Sequence, residues 1–171
     1  IMKNAYESVF VVGNIGNSYT TVAADTKEDS VIVAELSSFQ LESIHTFRPK
    51  VSAVLNITPD HLNRHHTMEA YIQAKMDIAK NQTAEDVCVL NYEDKVTRNM
   101  AEKISASVIY FSSAHKLEKG IFLDGDSIIY KPVQDEEGIF VCKTSDLQIL
   151  GVHNYENVMA AVAMAAAYGV D

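Results

Sequence analysis

A chain of 171 residues has the length of one domain and can bury a sizeable hydrophobic core. With 47% hydrophobic and 22% charged residues, its composition is that of an ordinary globular protein rather than of a disordered chain. The net charge of −9 argues against nonspecific binding to nucleic acid or to an anionic membrane, although a locally basic or metal-filled site can still take an anionic small molecule.

The cysteines and the lack of a long apolar run predict the compartment. Cys88 and Cys142 lie inside apolar, strand-like runs, so we expect reduced core thiols rather than a disulfide framework. No signal peptide is recognisable and no apolar run approaches ~18 residues, so no membrane span is predicted. We therefore expect a cytoplasmic protein that binds neither nucleic acid nor membrane. A monomer is the expected oligomeric state.

Through the first half of the chain, buried-strand patterns alternate with short helical patterns. Apolar, β-branched runs of this kind are typical of strands covered on both faces. Thr67 is the predicted N-cap of a helix whose apolar residues recur at helical spacing. The predicted strands are residues 10–13, 31–35 and 51–57, and the predicted helices are residues 19–24, residues 39–44 and a longer one from Thr67.

The second half continues this alternation and then changes. Strands are predicted at residues 87–91 and 108–111, with an amphipathic helix over residues 94–104 between them. After about Ser112 come short strands at 121–123, 127–130 and 139–142, separated by glycine turns, and then an alanine-rich helix over 154–168. The predicted fold is α/β, a doubly wound and mostly parallel sheet with a small antiparallel meander.

Polar, metal-capable side chains follow two of these strands. Residues 31–34 lead to Glu35 and Ser37, and residues 51–55 lead to the loop that contains His61. Ligands of open parallel sheets bind beyond the carboxyl ends of the strands, so two neighbouring strands would bring a carboxylate and an imidazole to one crevice. Taken alone, Glu35 is equally consistent with an ordinary strand-end acid, and Ser37 with a helix cap.

The three histidines near residue 61 admit several interpretations. His61 and His65 are four residues apart, a spacing that can hold zinc on a helix. No glutamate follows His61 as a metalloprotease would require, and no cysteine lies nearby, so a closed zinc site is not expected. His61 with Glu35 and other oxygen ligands suits a hard cation such as Mg²⁺ better. For His65 and His66 we predict a solvated loop.

A lysine and two asparagines give less decisive signals. From the residues alone, Lys75 is best interpreted as a solvated helix lysine, one turn from Tyr71. Asn154 is a natural N-cap for the last helix. Asn157, one turn further on, can offer both faces of its amide to a base edge, but spacing alone does not decide this.

In their order along the chain, five motifs resemble the central domain of the Mur ligase family. They are residues 12–16 (Val-Gly-Asn-Ile-Gly), 35–42 (Glu-Leu-Ser-Ser-Phe-Gln-Leu-Glu), 56–65 (Asn-Ile-Thr-Pro-Asp-His-Leu-Asn-Arg-His), Ala74-Lys75 and 153–157 (His-Asn-Tyr-Glu-Asn). The resemblance covers essentially the whole chain. Gly-Asn-Ile-Gly, and Phe39-Gln40 after two serines, resemble the D-glutamate-adding members more than those that add meso-diaminopimelate or lysine.

The resemblance implies an ATP-dependent amide ligase of peptidoglycan precursor synthesis. Its substrates would be UDP-N-acetylmuramoyl-L-alanine and D-glutamate, its cofactors ATP and Mg²⁺, and its intermediate an acyl phosphate. Glu35 and His61 match positions that bind Mg²⁺, and Lys75 matches a carbamylated lysine whose carbamate ligates or positions the ion, which reverses the interpretation of Lys75 given above. These three would be catalytic, with Asn14 and Ser37 matching substrate-binding positions and Asn154 and Asn157 matching nucleotide-binding positions.

Two parts of the family's pattern are missing from the chain. The glycine-rich phosphate loop, G-x-x-G-K-[ST], does not occur, and we expect it within roughly 20 residues before Ile1, whose neighbours resemble the end of a helix. The C-terminal domain is also absent. Residues 1–171 are therefore expected to be a truncated central domain that is inactive by itself.

Two alternatives compete with this function. The chain could belong to another Mur-type or folylpolyglutamate-type ligase, which shares the fold and the lysine, or to a catalytically silent Mur-like binding module. The Ser-Ser-Phe-Gln stretch, together with Glu35, His61 and Lys75, argues against both.

Overall fold

The computed structural model describes residues 1–170. The strands are β1 (Val9–Gly13), β2 (Val31–Glu35), β3 (Val51–Val54), β4 (Val87–Asn91), β5 (Ser107–Ser112), β6 (Gly120–Asp124), β7 (Ser127–Lys131) and β8 (Ile139–Lys143). The α-helices are α1 (Met2–Ala5), α2 (Tyr19–Val22), α3 (Ser38–Leu41), α4 (Leu62–His65), α5 (Met68–Met76), α6 (Lys95–Met100) and α7 (Val152–Tyr168).

The main sheet has six strands in the order β3-β4-β5-β6-β7-β8. Strands β3 to β6 pair in parallel, while β7 pairs antiparallel with both β6 and β8. The sequence-based prediction of a mostly parallel sheet with a small antiparallel meander is therefore confirmed.

Strands β1 and β2 form a parallel sheet of their own. The prediction that β2 and β3 are neighbouring strands is wrong for the described residues, because the ladders of these two strands run to β1 and to β4 respectively. Adjacency in sequence does not force pairing, and here β2 is connected to β3 through helix α3 and a long loop. Helices α3 and α5 pack on each other, so it is helix packing that relates the two strand ends.

The core consists of two hydrophobic clusters, one on each face of the six-stranded sheet. Alternate residues of β4 divide between them, since Cys88 and Leu90 join the cluster beneath α5 and α6, whereas Val89 joins the cluster beneath α7. All three are fully buried. This is the two-sided burial that the continuous apolar run of β4 predicts.

Neither cysteine is part of a disulfide. Cys88 and Cys142 are both free, as predicted. Burial raises the pKa of the Cys88 thiol to about 11, so it stays protonated and inert in the core.

The two predicted helix starts have different outcomes. Thr67 caps α5, since its hydroxyl accepts a hydrogen bond from the Ala70 amide at 3.1 Å, as expected. The prediction that Asn154 caps the last helix is wrong, because α7 begins at Val152 with Gly151 as N-cap at φ 101°. Glycine reaches this backbone conformation without a Cβ clash, so the chain turns there and Asn154 becomes part of the first helical turn.

Within residues 1–170, none of the helices combines the length and the apolar character needed to cross a bilayer.

Candidate functional site

Asn14 and Glu35 lie side by side where β1 and β2 end. Gly13 and Glu35 are register partners, and the Asn14 amide donates to the Glu35 carbonyl at 2.7 Å. The Asn14 side-chain nitrogen also donates to a Glu35 carboxylate oxygen at 3.3 Å. A Cβ on Gly13 would sit 2.1 Å from the Glu35 carbonyl oxygen, so only glycine lets the two strands end this close together.

Ser37 caps the short helix α3. Its hydroxyl accepts a hydrogen bond from the Gln40 amide, while the Gln40 side-chain oxygen accepts one from the Ser37 amide at 2.9 Å. This reciprocal pair is a capping box. The helix-cap interpretation of Ser37 is thereby confirmed, and contact with a substrate remains a prediction.

His61 lies at the start of α4 in a left-handed backbone conformation, with φ 52°. Its Nε2 is 3.4 Å from an Asp60 carboxylate oxygen. The imidazole ring also contacts Phe39, with ring centroids 4.9 Å apart. Because Phe39 is four residues beyond Glu35, the loop after β3 lies against the segment that follows β2.

His65 is buried, contrary to the prediction that it belongs to a solvated loop. Only 6% of the residue is exposed, and its ring bonds or packs against side chains of α3 and α5. No local pattern marks it, because its bonding partner Ser38 is 27 residues away in the sequence. His66, the next residue, is exposed as predicted.

Lys75 is half-buried on α5, with its Nζ 5.9 Å from the centroid of the Tyr71 ring. Among the described residues, its ammonium group forms no ion pair or hydrogen bond with a side chain. Carbamylation of Lys75 stays a prediction.

The described residues do not form a closed metal site. Within residues 1–170 no group of three or more His, Cys, Asp or Glu side chains is arranged to hold a metal ion. A structural zinc site needs such a group, whereas Mg²⁺ is usually held by one or two carboxylates and completed by water and substrate phosphates. Glu35, which is exposed at a strand end, suits the second arrangement. Convergence of Glu35, His61 and Lys75 on one ion stays a prediction.

The first turns of α7 form a second polar cluster. Asn154 donates to the Leu150 carbonyl at 2.7 Å, and Asn157 is exposed one turn further along. Between them Glu156 accepts hydrogen bonds from Ser113 at 2.5 Å and from Asn91 at 3.5 Å. These contacts join the start of α7 to the carboxyl ends of β4 and β5. The sequence interpretation missed Glu156, because its partners are far away along the chain.

The comparison with known proteins decides the family. Residues 1–165 match the profile of the Mur ligase middle domain. The chain belongs to the Mur ligase family. The UDP-N-acetylmuramoylalanine–D-glutamate ligase of Lachnoclostridium phytofermentans is 61% identical over 99% of this chain, and the ligase of the same name from Clostridioides difficile is 50% identical over all of it. The chain spans 37% of the length of each of these Mur ligases.

Solved Mur ligases share the fold at low sequence identity. A UDP-N-acetylmuramoyl-L-alanyl-D-glutamate–2,6-diaminopimelate ligase matches with a TM-score of 0.70 at 21% identity, covering 99% of this chain and 39% of that one. The MurF ligase of Thermotoga maritima, in complex with ADP, matches with a TM-score of 0.66 at 19% identity, covering 99% of this chain and 41% of that one. Both likenesses confirm the Mur ligase fold predicted from the motifs.

Proposed function

We propose that this chain is the central, ATP-binding domain of a longer ligase that joins D-glutamate to UDP-N-acetylmuramoyl-L-alanine. The observation that carries the proposal is the similarity, at 41–61% identity over nearly the whole chain, to relatives that all bear the name of the D-glutamate ligase. The adjacency of Asn14 and Glu35, and of Phe39 and His61, is consistent with it.

The reaction consists of two transfers. An oxygen of the substrate's terminal carboxylate attacks the γ-phosphorus of ATP, which gives an acyl phosphate and releases ADP. The amine of D-glutamate then attacks the acyl carbon, phosphate leaves, and the amine loses a proton as the amide bond forms. Charge builds up on phosphate oxygens in both transfers, so positioning and neutralisation are the protein's main tasks.

Glu35 and His61 would hold Mg²⁺, and Lys75, as a carbamate, would supply a further oxygen near the ion. When bound, Mg²⁺ supplies neutralisation of the phosphate charge. Carbamylation converts the Lys75 cation into an anion with oxygen donors, which suits a neighbouring hard cation. Asn14, held against Glu35, would contact the UDP-muramoyl substrate together with Ser37.

Asn154 and Asn157 would bind the adenine of ATP. They lie three residues apart in the first turns of α7, which places them on one face of the helix. The Leu150 carbonyl already takes one Asn154 N–H, which leaves the other N–H and the amide oxygen for a base edge. The protein would act as a cytoplasmic monomer in peptidoglycan precursor synthesis, without binding nucleic acid or membrane.

The test is a ligation assay on the full-length protein. It is incubated with ATP, Mg²⁺, UDP-N-acetylmuramoyl-L-alanine and one amine at a time, either D-glutamate, L-glutamate, L-lysine or meso-diaminopimelate. Mass spectrometry of the product should show one added glutamate with D-glutamate only, accompanied by ADP. A product with another amine would contradict the assigned substrate, and no product with any amine would favour a silent binding module.

A further inference from the structure

We propose that His65 is a positioning residue that holds the Glu35, His61 and Lys75 segments in fixed relation to one another. The inference rests on the proposed function, since it concerns the same site. His65 touches neither a substrate nor a reacting atom in this proposal. It acts through the helices that it joins.

The His65 ring is fully engaged by polar groups. Its Nε2 lies 2.9 Å from the Ser38 hydroxyl and its Nδ1 lies 3.2 Å from a Glu42 carboxylate oxygen. An ionised carboxylate can only accept, so Nδ1 carries the proton and donates to Glu42. In the neutral ring Nε2 is then an acceptor, and the Ser38 hydroxyl donates to it.

The order Ser38, His65, Glu42 is that of a hydrolase triad, but burial rules out that chemistry. Ser38 is 1% exposed and lies inside the protein, so its hydroxyl cannot reach an external carbonyl group. The same bonds instead satisfy every polar atom of a buried ring. Buried networks of this kind fix geometry when all members are paired and cost stability when one is removed.

The neighbours of His65 lie on the segments that carry the predicted site residues. Ser38 begins α3, three residues after Glu35, and Phe39 stacks on the His65 ring at 5.4 Å and 12°. The Phe39 ring also contacts His61. Tyr71, whose ring centroid is 5.3 Å from that of His65, lies one helical turn before Lys75 and beneath its ammonium group.

A second link between the same segments strengthens this role. Glu42, just after α3, accepts from Arg64 at 2.8 Å as well as from His65. The end of α3 is therefore held by two consecutive residues of α4. With β2 and β3 in separate sheets, these side-chain bonds replace a strand ladder as the connection between Glu35 and His61.

The first experiment determines the state of the ring in this chain of 171 residues. Long-range ¹H–¹⁵N correlation spectra of the histidine side chains should show a fixed His65 ring with a proton on Nδ1. A ring protonated at Nε2 alone, or one averaging between tautomers as an exposed histidine does, would overturn the proposed bonds. This readout does not depend on ligase activity.

The second experiment compares His65→Asn with His66→Asn in the full-length protein. Asparagine at position 65 can place its amide nitrogen near the position of Nδ1 and donate to Glu42, but it is too short to place an atom at the position of Nε2 for Ser38. At position 66, asparagine tolerates the positive φ of 66° found there. A displacement of ~1 Å can cost roughly 100-fold in rate, so His65→Asn should lower kcat by about 10- to 100-fold. It should also raise the Mg²⁺ concentration needed for half-maximal rate, while His66→Asn leaves both unchanged.

The remaining outcomes separate a positioning role from a merely structural one. If His65→Asn lowers Tm but leaves kcat and the Mg²⁺ requirement of the folded protein unchanged, the proposal is wrong. Should that variant fail to fold, Ser38→Ala, which deletes only the donor to Nε2, should show the same shifts to a smaller extent. If wild-type protein does not ligate, the proposed function fails, and Mn²⁺ binding measured by electron paramagnetic resonance decides the role. Mn²⁺ binding should be weaker in His65→Asn than in wild type. Equal Mn²⁺ affinity in the two proteins would overturn the positioning role of His65.

Discussion

At Gly13 the backbone passes so close to β2 that a methyl group has no room. The residue has φ 121°, and an added Cβ would lie 2.1 Å from the Glu35 carbonyl oxygen. We predict that Gly13→Ala lowers the unfolding free energy by about 2–4 kcal/mol, because strain at such a conformation costs 1–3 kcal/mol before the clash is added. Urea denaturation of this chain measures it.

A second glycine supplies the matched control for this prediction. Gly125 also has a positive φ, 62°, but a Cβ there would meet nothing within 4 Å. Gly125→Ala should therefore cost only about 1 kcal/mol, the conformational term alone. Equal losses for the two variants would show that the close approach of β1 and β2 is not what requires Gly13.

For Lys75, the family resemblance and the local sequence give opposite expectations: a catalytic carbamate and an ordinary helix lysine. In the full-length protein we predict that Lys75→Ala abolishes most ligation and that short carboxylates restore part of it, because they return an oxygen donor near Mg²⁺. Lys75→Arg should not be rescued, since a permanent cation remains at the metal site. Initial rates of ADP formation, with and without added formate or acetate, measure both effects.

An exposed helix lysine serves as the control for Lys75. Lys95→Ala on α6 should leave the rate unchanged and should not respond to carboxylates. Near-normal kcat in Lys75→Ala would show that the interpretation from the residues alone, an ordinary helix lysine, was right.

Among single residues, sequence could locate those whose position follows from the end of a strand. Glu35 and Asn14 were placed by the apolar runs before them, and both do lie at strand ends. His65 could not be placed, because its burial depends on Ser38 and Glu42, which only the tertiary fold brings near. The roles of Asn154 and Asn157 came from the family resemblance, and no geometric pattern in the sequence distinguishes them from other helix asparagines.

At the scale of elements, the two sheets should differ in stability. Val11 and Val33, register partners in the β1–β2 sheet, are 54% and 36% exposed, whereas β4 is buried on both faces. A two-stranded sheet is only marginally stable in water, so we predict that the β1 and β2 amides exchange with solvent at least about 100-fold faster than those of β4. Hydrogen exchange followed by NMR measures this, and uniform protection would show that both sheets unfold as one unit.

The connection before β3 is fixed by an ion pair that should make stability depend on pH. Arg48 donates to the Asp86 carboxylate at 2.6 Å, and this bond, helped by the Thr83 amide, holds the pKa of Asp86 below its ordinary value of about 3.9. A lowered carboxyl pKa stabilises the folded state above the unfolded-state pKa. The contribution disappears as pH falls through the folded-state pKa.

Replacement of Asp86 tests that dependence. Compared with wild type, Asp86→Asn should be less stable at about pH 6, and the difference should shrink below about pH 4 as the wild-type carboxyl is protonated. Urea midpoints measured from pH 2.5 to 6.5 give the comparison, with Asp29→Asn in an exposed loop as the control. A difference that stays constant with pH would mean that Asp86 acts through packing alone.

Elements could be predicted where local pattern determines them and not where distant partners do. The run of β4, the cap at Thr67 and the glycine turns of the meander are local, and each is found. The start of α7 was misplaced, because Gly151 rather than the asparagine provides the turn. The separate β1–β2 sheet was missed, because a strand's apolar pattern does not specify which neighbour it bonds.

At the scale of the whole molecule, the share of its relatives' length that the chain spans bears on which activities this chain of 171 residues can have by itself. The chain spans 37% of the length of the D-glutamate ligases it matches, and it contains no Gly-Lys-Ser or Gly-Lys-Thr triplet. The backbone amides and the lysine of such a loop are what cradle ATP phosphates in nucleotide-binding domains of this type. Under the proposed function, a chain without such a loop keeps its hydrophobic core but would lack the groups that hold the reacting phosphate.

We therefore predict that the 171-residue chain folds but does not ligate. Its two-sided core gives it a stable six-stranded sheet, so circular dichroism should show cooperative thermal unfolding. With ATP, Mg²⁺, UDP-N-acetylmuramoyl-L-alanine and D-glutamate, ADP formation should equal that of a no-enzyme control, because positioning of the phosphate is lost. Full-length protein assayed in parallel confirms that the substrates are competent. ATP-dependent product formed by the isolated chain would show that phosphate binding resides within residues 1–171, and the assignment of a missing phosphate loop would then be wrong.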